Sequence, residues 1–376
     1  MSHERSDERM TTETRFLLEG VPRVHFYEGG ENSPEDVPFP SCLAASLRYL
    51  GEEYPWIEKQ EHGKRFRDNY ATIYILAHSG MAFGLRWREG WHMDNVDHMM
   101  VADPGEVIRR AFAAVGYTYE IVHKTGAPTD AEIWRQKIRE SLHAGKPVLA
   151  FGVVGPPECC LVTGYDEGGD VVMGWNYFQT IPPFNVGVAF EPTGQFRKQG
   201  WFDDTWALIL LGEKTAKPEL HSLNRDTLGF ALQVARTPIV FEHNNGHAAY
   251  AAWAKQVAGD DAFLTDDEGQ LRAMHDAHNN VVGVLAECRW FGAQWMRYIA
   301  ADEPAMAEDL LAAATCYEQQ HDLMWKVWGA VGGNGHPDAW QAFARPQVRK
   351  EIAAWILQAQ ALDIAAAAHL ERALTR

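Results

Sequence analysis

The sequence predicts an α+β domain over residues 20–215, with helices and an antiparallel sheet, followed by an all-α helical bundle domain over 220–376. Two observations predict this order. Apolar residues first recur at the helical period, and beyond about residue 145 they change to the short apolar runs that are typical of strands. After a polar, proline-containing stretch at 212–222, every apolar segment is rich in alanine and leucine at helical spacing. The polar residues 1–19 are predicted to form a disordered tail.

In the first domain, start and stop signals predict three helices. Residues 42–50 follow Ser41, a candidate N-cap, and end before a glycine. Residues 104–115 begin with proline and also precede a glycine, and 130–145 end with one. Short apolar runs predict strands at 147–155, 160–166, 170–178 and 205–212, the second and third joined by a Glu-Gly-Gly turn.

Composition excludes several classes of function. The formal net charge of −17 disfavours binding to nucleic acids or anionic membranes and suits a cationic ligand better. The first 14 residues have no apolar core of a secretory signal, and no stretch is apolar enough to span a membrane, so we expect a cytoplasmic protein. Its five cysteines are then expected to be reduced thiols, and their spacing matches no zinc site. We expect no metal and no cofactor.

Cys42 is the first candidate for chemistry. At the start of the predicted helix, unsatisfied backbone N–H groups and the positive end of the helix dipole would stabilise a thiolate. An acyl-transferring cysteine also needs a base, normally a histidine, and a third group that orients the base. A buried cysteine that packs beside leucines is an equally good interpretation of the local pattern.

Several stretches resemble the papain-like cysteine peptidase and acyltransferase superfamily, including the bacteriocin-leader-processing peptidases. The likeness is closer to the N-terminal domain of the butirosin-biosynthesis aminoglycoside acyltransferase family. These stretches are "SCLAASLRYLG" (41–51), "LAHSGMAFGLRW" (76–87), "GKPVLAFGVV" (145–154) and "LVTGYDEGGDVVMGWNYFQ" (161–179). The stretches "GHAAYAAWA" (246–254) and "LAECRWFGAQWMRYIA" (285–300) resemble the helical C-terminal domain of that family.

This resemblance implies that Cys42 is the nucleophile and that Asn176 orients the base. It implies acyl transfer through a thioester on Cys42 to an amine of a polar small molecule, as in specialised-metabolite biosynthesis. Glu158 stands where the family has its catalytic histidine, and Asp36 stands near the place of its oxyanion-hole glutamine. Two alternatives stay open: a peptide or amide hydrolase on the same scaffold, and a catalytically inactive papain-like binding protein.

Three explanations for the replaced histidine compete. His92 or His98 supplies the base from a loop rich in tryptophan and aspartate, Glu158 itself acts as the base, or thiol chemistry has been lost. The predicted substrate-binding residues are the aromatic ones in these stretches: Trp87, Trp91, Trp175 and Tyr177. The expected partners are a small-molecule or peptide-like substrate and an acyl carrier protein that docks on the basic run "GKRFR" at 63–67.

Other histidines have plainer interpretations. His275 and His278, with the Glu318–His321 stretch "EQQH", match one half of a di-iron motif, so we expect surface histidines rather than metal ligands. His243 and His247 flank Asn-Asn-Gly, which predicts a turn and a helix start. The sequence predicts no oligomeric state.

Overall fold

A computed structural model of the protein describes residues 14–24, 37–61, 64–101, 103–333 and 336–376. Within these ranges the protein is α+β, with helices and antiparallel sheets, which confirms the predicted mixture. None of the described helices combines the length and apolarity needed to cross a bilayer. Residues 1–13 of the predicted tail, and Asp36, lie outside the described part of the chain.

The α-helices of the described chain are named in order. They are α1 (Pro38–Tyr49), α2 (Tyr70–Ser79), α3 (Pro104–Val115), α4 (Asp130–His143), α5 (Trp201–Asp204), α6 (Leu220–Arg236), α7 (His247–Ala258), α8 (Glu268–Ala300), α9 (Ala307–Val331), α10 (Ala339–Ala344) and α11 (Pro346–Thr375). Short 3₁₀ helices span Met81–Phe83, Met93–Val96, His98–Val101, Glu167–Gly169 and Asp261–Phe263.

The strands are named in the same way. They are β1 (Phe16–Leu17), β2 (Trp56–Glu61), β3 (Lys64–Asn69), β4 (Arg86–Trp87), β5 (Tyr117–His123), β6 (Val148–Phe151), β7 (Cys159–Asp166), β8 (Val171–Trp175), β9 (Val188–Phe190), β10 (Phe196–Gln199), β11 (Ala207–Lys214), β12 (Ile239–Val240) and β13 (His243–Asn245). All four strands predicted from short apolar runs are present, as β6, β7, β8 and β11, and the Glu-Gly-Gly turn joins β7 to β8.

The chain divides into two compact units. The first contains Met1–Arg67 and Thr118–Glu213, and the second contains Asp68–Tyr117 and Lys214–Arg376. The sequence analysis placed residues 68–117 with the first domain, whereas in the structure they belong to the helical unit. The reason is packing, because α2 contacts α3, α6 and α8.

In the first unit, the main sheet has the strand order β5-β11-β6-β7-β8-β10-β9, and β1 pairs with β7 off this path. β1 falls within the predicted tail, so that prediction was wrong for Phe16 and Leu17. β1 pairs with Gly164 and Tyr165 of β7, next to an irregularity between Val162 and Gly164 in the pairing of β7 with β8. A side chain at Gly164 would lie 2.7 Å from the Phe16 carbonyl oxygen, so only glycine lets the two strands approach. Arg15 then forms ion pairs with Asp166 at 3.0 Å and with Glu191 at 2.8 Å.

In the second unit, helices predicted from the alanine- and leucine-rich segments surround an aromatic and aliphatic core. The unit also contains a small sheet of strand order β12-β13-β4, so the prediction of an all-α domain was wrong there, because residues 239–245 pair with β4 instead of continuing a helix. α8 and α9 pack together, and α11 packs against α7 and α9. Buried members of the core include Tyr250, Trp253, Leu285, Met324 and Ile356. The long helices therefore gain their stability from a shared apolar core rather than from helix propensity alone.

Candidate functional site

Cys42 lies in α1, but the helix begins earlier than the sequence predicts. Val37 is the N-cap residue, Pro38 begins the helix and Ser41 is inside it, so the predicted Ser41 cap was wrong. Pro38 and Pro40 occupy the first turn, where the missing N–H would have no acceptor in any case. Cys42 is consequently the fifth residue of the helix. Dipole stabilisation is strongest in the first turn, and Cys42 lies just past it.

The Cys42 thiol is completely buried and has a backbone partner. Its exposed fraction is 0%, and its S–H group donates to the Cys159 carbonyl oxygen at 3.6 Å. A nucleophilic cysteine must be reachable by its substrate, and this buried sulfur is not. The Cys42 carbonyl, in turn, accepts a hydrogen bond from the Ser46 hydroxyl at 2.9 Å.

Two further buried thiols surround Cys42. Burial raises the pKa of Cys159 well above its usual value, and the hydrogen bond with Cys42 raises it further. Burial also raises the pKa of Cys160, although the Val153 N–H group, which hydrogen-bonds to that sulfur, opposes the shift. All five cysteines of the chain are free thiols, as the sequence analysis expected. Cys159 and Cys160 are therefore protonated thiols at neutral pH.

The structure brings Glu158 and Asn176 to the same end of the sheet as Cys42. Glu158 directly precedes β7, and Asn176 directly follows β8, whose Trp175 pairs with Leu161 of β7. The three predicted catalytic residues of the first unit therefore converge at one end of the β7–β8 pair.

The contacts of Asn176 differ from those of a residue that orients a base. Asn176 is 2% exposed, and its Oδ1 atom accepts from the Phe178 N–H at 2.7 Å. Its own N–H donates to the Gln179 side chain at 2.9 Å. Its Nδ2 group has no hydrogen-bond partner among the described residues. Asn176 thus closes the turn after β8.

The aromatic residues of the first unit are also buried. Trp175 is 6% exposed, and the Arg23 guanidinium lies 5.4 Å from its ring centre. Tyr177 is 4% exposed. Both were predicted to bind substrate. In this structure Arg23 covers the ring of Trp175, which is a cation–π contact within the protein.

The histidines of the described first unit supply no base to Cys42. His143 hydrogen-bonds to the Tyr165 hydroxyl at 2.9 Å, and its ring stacks on Phe16 at 4.5 Å. His123 is exposed at the end of β5. Within the described residues, the one hydrogen bond of the Cys42 thiol to a backbone atom goes to Cys159, and no imidazole bonds to the thiol.

The remaining predicted site residues belong to the second unit. Trp87 is fully buried, donates its indole N–H to Gln256 at 2.9 Å and stacks on Trp253. Trp91 packs edge-on against Trp87 at 5.8 Å. Of these two tryptophans, both predicted to bind substrate, Trp87 is part of the core and the half-buried Trp91 packs against it. His92 is exposed.

The structure describes the backbone of His98 within a 3₁₀ helix, and its side chain lies outside the described atoms. The loop around it forms part of a small pocket of the second unit. The lining is mostly aliphatic, with three polar side chains: Gly84, Leu85, Arg86, Asn95, Val96, Asp97, Val101, Val281, Val284 and Leu285. In the basic run at 63–67, Gly63 and the Lys64 side chain lie outside the described part, and Arg67 stacks over Trp56.

Sequence reasoning missed a buried ionic network in the second unit. Arg289 is 0% exposed and donates to the carbonyl oxygens of Ala82 at 2.8 Å and Gly84 at 3.3 Å. It also forms an ion pair with buried Asp363 at 3.1 Å, and His247 approaches the same carboxylate at 3.3 Å. Burial opposes ionisation of Asp363, but the charge of Arg289 holds its pKa below the usual value. The sequence did contain one sign of this network, because Arg289 and Asp363 are each a charged residue within an otherwise apolar face of a long helix.

The prediction of surface histidines was wrong for His275 and His278, which are 4% and 0% exposed. Burial lowers the pKa of His278 to about 3, and that of His78 likewise to about 3. His278 accepts a hydrogen bond from the Trp253 indole at 3.1 Å and stacks on Phe343. A buried neutral imidazole with such partners is a packing residue. No group of three or more described His, Cys, Asp or Glu side chains could hold a metal ion.

No protein-family model matches the chain, and no curated protein matches it either.

Proposed function

We propose that the first unit is a papain-like domain that has lost thiol chemistry, and that the protein binds a small, polar, cationic molecule without transforming it. The observation that carries this proposal is the buried Cys42 thiol, which donates to the Cys159 carbonyl oxygen. A second observation supports it: Glu158 occupies the place where the resemblance expects an imidazole.

Thiol catalysis needs a thiolate, a base that takes the proton and access for the acyl group. Cys42 is inaccessible, and its proton is engaged by a backbone oxygen. The neighbouring thiols of Cys159 and Cys160 are protonated, since burial raises the pKa of both. A carboxylate at Glu158 would repel a thiolate rather than create one.

The layout supports the papain-like part of the proposal. α1 packs against β7, and the sulfur of Cys42 reaches the first residue of that strand. Asn176 follows the neighbouring strand β8, as an orienting residue would. A scaffold can keep such an arrangement after its chemistry is lost, because fold and function change independently.

Charge supports a cationic ligand. The protein carries a formal net charge of −17, which raises the local concentration of cations around it. The half-buried Glu158 places a carboxylate at the end of the β7–β8 pair, where an imidazole would serve acyl transfer. An ammonium group is the natural partner of that carboxylate.

Acyl transfer through Cys42 is the second candidate, favoured by the convergence of Cys42, Glu158 and Asn176 on one end of the sheet. In that reaction the sulfur would form a bond to the acyl carbon as the bond to the leaving group breaks, and the leaving group would take the cysteine proton. An amine would then displace the sulfur from the thioester, and water would do so in a hydrolase.

Alkylation of the native protein distinguishes the two candidates. We would treat the full chain with iodoacetamide from weakly acidic to weakly alkaline pH and map each cysteine by mass spectrometry. The binding proposal expects Cys316, which is partly exposed, to react first, and Cys42 to react only after unfolding in urea. Rapid alkylation of native Cys42, or a thioester trapped on it with p-nitrophenyl acetate, would overturn the proposal.

Ligand binding is tested with an aminosugar as the probe. Neamine is expected to raise the melting temperature of the wild type and of Cys42→Ala equally, because the thiol takes no part in binding. Glu158→Gln keeps the shape of the side chain but removes its charge, so the shift should become smaller. If neamine leaves the wild-type melting temperature unchanged, the proposal of a cationic ligand is wrong.

A further inference from the structure

His247, the first residue of α7, is an imidazole held by a buried carboxylate. Its Nε2 atom is buried and lies 3.3 Å from Oδ2 of Asp363, whose side chain is 2% exposed. The His247 side chain is 22% exposed, and its Nδ1 atom is neither buried nor hydrogen-bonded within the described residues. The ring therefore presents one nitrogen to the protein interior and the other to solvent.

The carboxylate of Asp363 decides which ring nitrogen carries the proton. Burial alone would raise the pKa of Asp363, but the charge of Arg289, 3.1 Å away, holds it below the usual value, so this carboxylate is ionised. An ionised carboxylate accepts hydrogen bonds and cannot donate them. The neutral imidazole of His247 therefore keeps its proton on Nε2 and has a lone pair on Nδ1, which is the nucleophilic atom.

The start of α7 places unpaired backbone donors beside this ring. Gly246 is the N-cap residue, and no side chain caps the helix. The Gly246 N–H donates to the Leu85 carbonyl oxygen at 2.9 Å, and the Ala249 N–H donates to that of Gly246 at 3.0 Å. The N–H groups of His247 and Ala248 have no acceptor among the described residues. Such groups, with the positive end of the helix dipole, bind phosphate.

The backbone at Gly246 excludes a capping side chain. Its φ of 53° and ψ of −132° form a conformation that glycine adopts far more readily than other residues. A Cβ atom there would also lie 2.2 Å from the Ala235 carbonyl oxygen. Serine, threonine, aspartate and asparagine, which normally cap helices, are therefore excluded from this position. The first turn of α7 keeps its donors for another acceptor.

We propose that His247 is a phosphoryl acceptor, whose Nδ1 atom takes a phosphoryl group from an activated donor, an acyl phosphate or a phosphoramidate. This inference does not depend on the proposed function. Nδ1 forms a bond to phosphorus as the bond from phosphorus to the leaving group breaks, and the leaving group keeps that electron pair. The ring keeps its Nε2 proton and becomes an imidazolium, whose charge Asp363 balances. The free N–H groups of the first turn stabilise the phosphoryl oxygens.

A second histidine of the same unit has the carboxylate but not the open helix start. His221 is the second residue of α6, and its Nδ1 atom lies 2.6 Å from the buried carboxylate of Glu303. The Glu219 carboxylate caps α6 and accepts from the N–H groups of His221 at 2.9 Å and Ser222 at 2.8 Å. A phosphoryl group would meet this negative charge instead of free donors. At 55% exposure, against 22% for His247, His221 is the matched comparison.

Phosphoramidate, which transfers its phosphoryl group to imidazoles and releases ammonia, is the probe. We would incubate the full chain with it at neutral pH, digest the protein under alkaline conditions and locate the phosphoryl groups by mass spectrometry. His247 is expected to be labelled roughly tenfold faster than His221, and mild acid should remove the label, since a phosphorus–nitrogen bond is labile in acid. His247→Gln should lose the label at this position and leave the labelling of His221 unchanged.

The double variant Arg289→Met with Asp363→Leu tests the positioning role of the carboxylate. It leaves neither member of the ion pair without its partner, so we expect it to stay folded, and circular dichroism and urea titration check this. Without Asp363, the ring loses the group that fixes its proton and balances its positive charge. Labelling of His247 should then slow roughly tenfold, while His221 keeps its wild-type rate in the same sample.

The rates within the wild type decide the proposal whether or not the double variant folds. Equal labelling of His247 and His221 would overturn it, because the open helix start would then have no effect. Labelling confined to other exposed histidines, such as His92 and His123, would overturn it as well. A folded double variant that labels His247 at the wild-type rate would remove Asp363 from the mechanism and contradict the proposal.

Discussion

The thiol cluster of the first unit and the ionic pair of the second unit are buried in opposite chemical states. In the first unit, the buried thiols of Cys159 and Cys160 are neutral, and Cys42 donates to a backbone oxygen. In the second unit, Arg289 and Asp363 are ionised, buried and paired at 3.1 Å. A buried neutral thiol can be removed at small cost, whereas a buried charge depends on its partner. The partner of a buried group, rather than burial alone, therefore decides whether the group is neutral or ionised and how much its removal costs.

The largest effect should follow from breaking the ionic pair. Arg289→Met removes the positive charge and leaves the buried Asp363 without its guanidinium partner, although His247 still lies 3.3 Å away, and the carbonyl oxygens of Ala82 and Gly84 lose their donor. We expect the free energy of unfolding to fall by about 3–5 kcal/mol. Urea titration followed by tryptophan fluorescence measures this change.

An exposed pair provides the control. Arg236 and Glu371 lie 2.7 Å apart, but both side chains are about half exposed to solvent. Arg236→Met should therefore cost no more than about 1 kcal/mol. The double variant Arg289→Met with Asp363→Leu should recover much of the loss, because no unpaired charge remains. If Arg289→Met cost as little as Arg236→Met, the contrast between the units would fail.

The next effect is a dependence of stability on pH that arises from buried histidines of the second unit. In the folded second unit, burial lowers the pKa of both His78 and His278 to about 3, while an unfolded histidine has a pKa of about 6.5. Below about pH 6.5 the unfolded chain binds the proton and the folded chain does not, so stability falls as pH falls until the folded pKa is reached. Each histidine should cost about 2 kcal/mol at about pH 5 relative to neutral pH.

Substitution of one histidine checks whether the buried histidines cause this loss of stability in acid. His278→Gln keeps an acceptor for the Trp253 indole but cannot titrate, so the loss of stability between neutral pH and about pH 5 should shrink by about 2 kcal/mol. His92→Gln removes an exposed imidazole and is the matched control. Urea titrations at both pH values measure the difference. An equal pH dependence in both variants would assign the acid sensitivity to other groups.

A smaller loss of stability is expected when the ion pairs that hold β1 against the sheet of the first unit are removed. Hydrogen bonds from Arg15, and then from Arg197, hold the pKa of Glu191 below its usual value. The stabilisation is therefore present above the unfolded pKa and is lost as pH falls through the folded one. Arg15→Met should cost about 1 kcal/mol at neutral pH, since its side chain is 43% exposed, and less in strong acid.

The comparison for this prediction is Lys137→Met, which removes an ion pair with Glu120 on the surface. Urea titrations of both variants, at neutral pH and in acid, measure the two losses. A loss for Arg15→Met that stays constant down to strong acid would mean that packing of β1, rather than charge, accounts for it.

The elements with strong local signals could be predicted from the sequence. α3 spans Pro104–Val115 as expected, because a proline start and a glycine stop define both ends. The strands β6, β7, β8 and β11 also lie where the apolar runs place them. The start of α1 was misplaced because Ser41 resembles a cap, while Pro38 is itself a favourable first residue.

The site was harder to predict because its properties depend on distant partners. Nothing local to Cys42 shows that its sulfur meets the Cys159 carbonyl, which is 117 residues away in sequence. The burial of Trp87 depends on Trp253 and Gln256 in the same way. Arg289 and Asp363 look like surface charges until α8 and α11 fold against one core. Tertiary contacts, rather than propensity, decide these cases.

The smallest effect is expected at Cys42 itself. Cys42→Ala removes one sulfur and one weak hydrogen bond to a carbonyl oxygen, and it leaves no charge unpaired. The free energy of unfolding should change by no more than about 1 kcal/mol, because the cavity is small and the lost bond is weak. Urea titrations of Cys42→Ala and Arg289→Met, run together, measure the smallest and the largest expected change in the free energy of unfolding. A loss as large as that of Arg289→Met would mean that the thiol cluster, like the ionic pair, is a network whose members depend on one another.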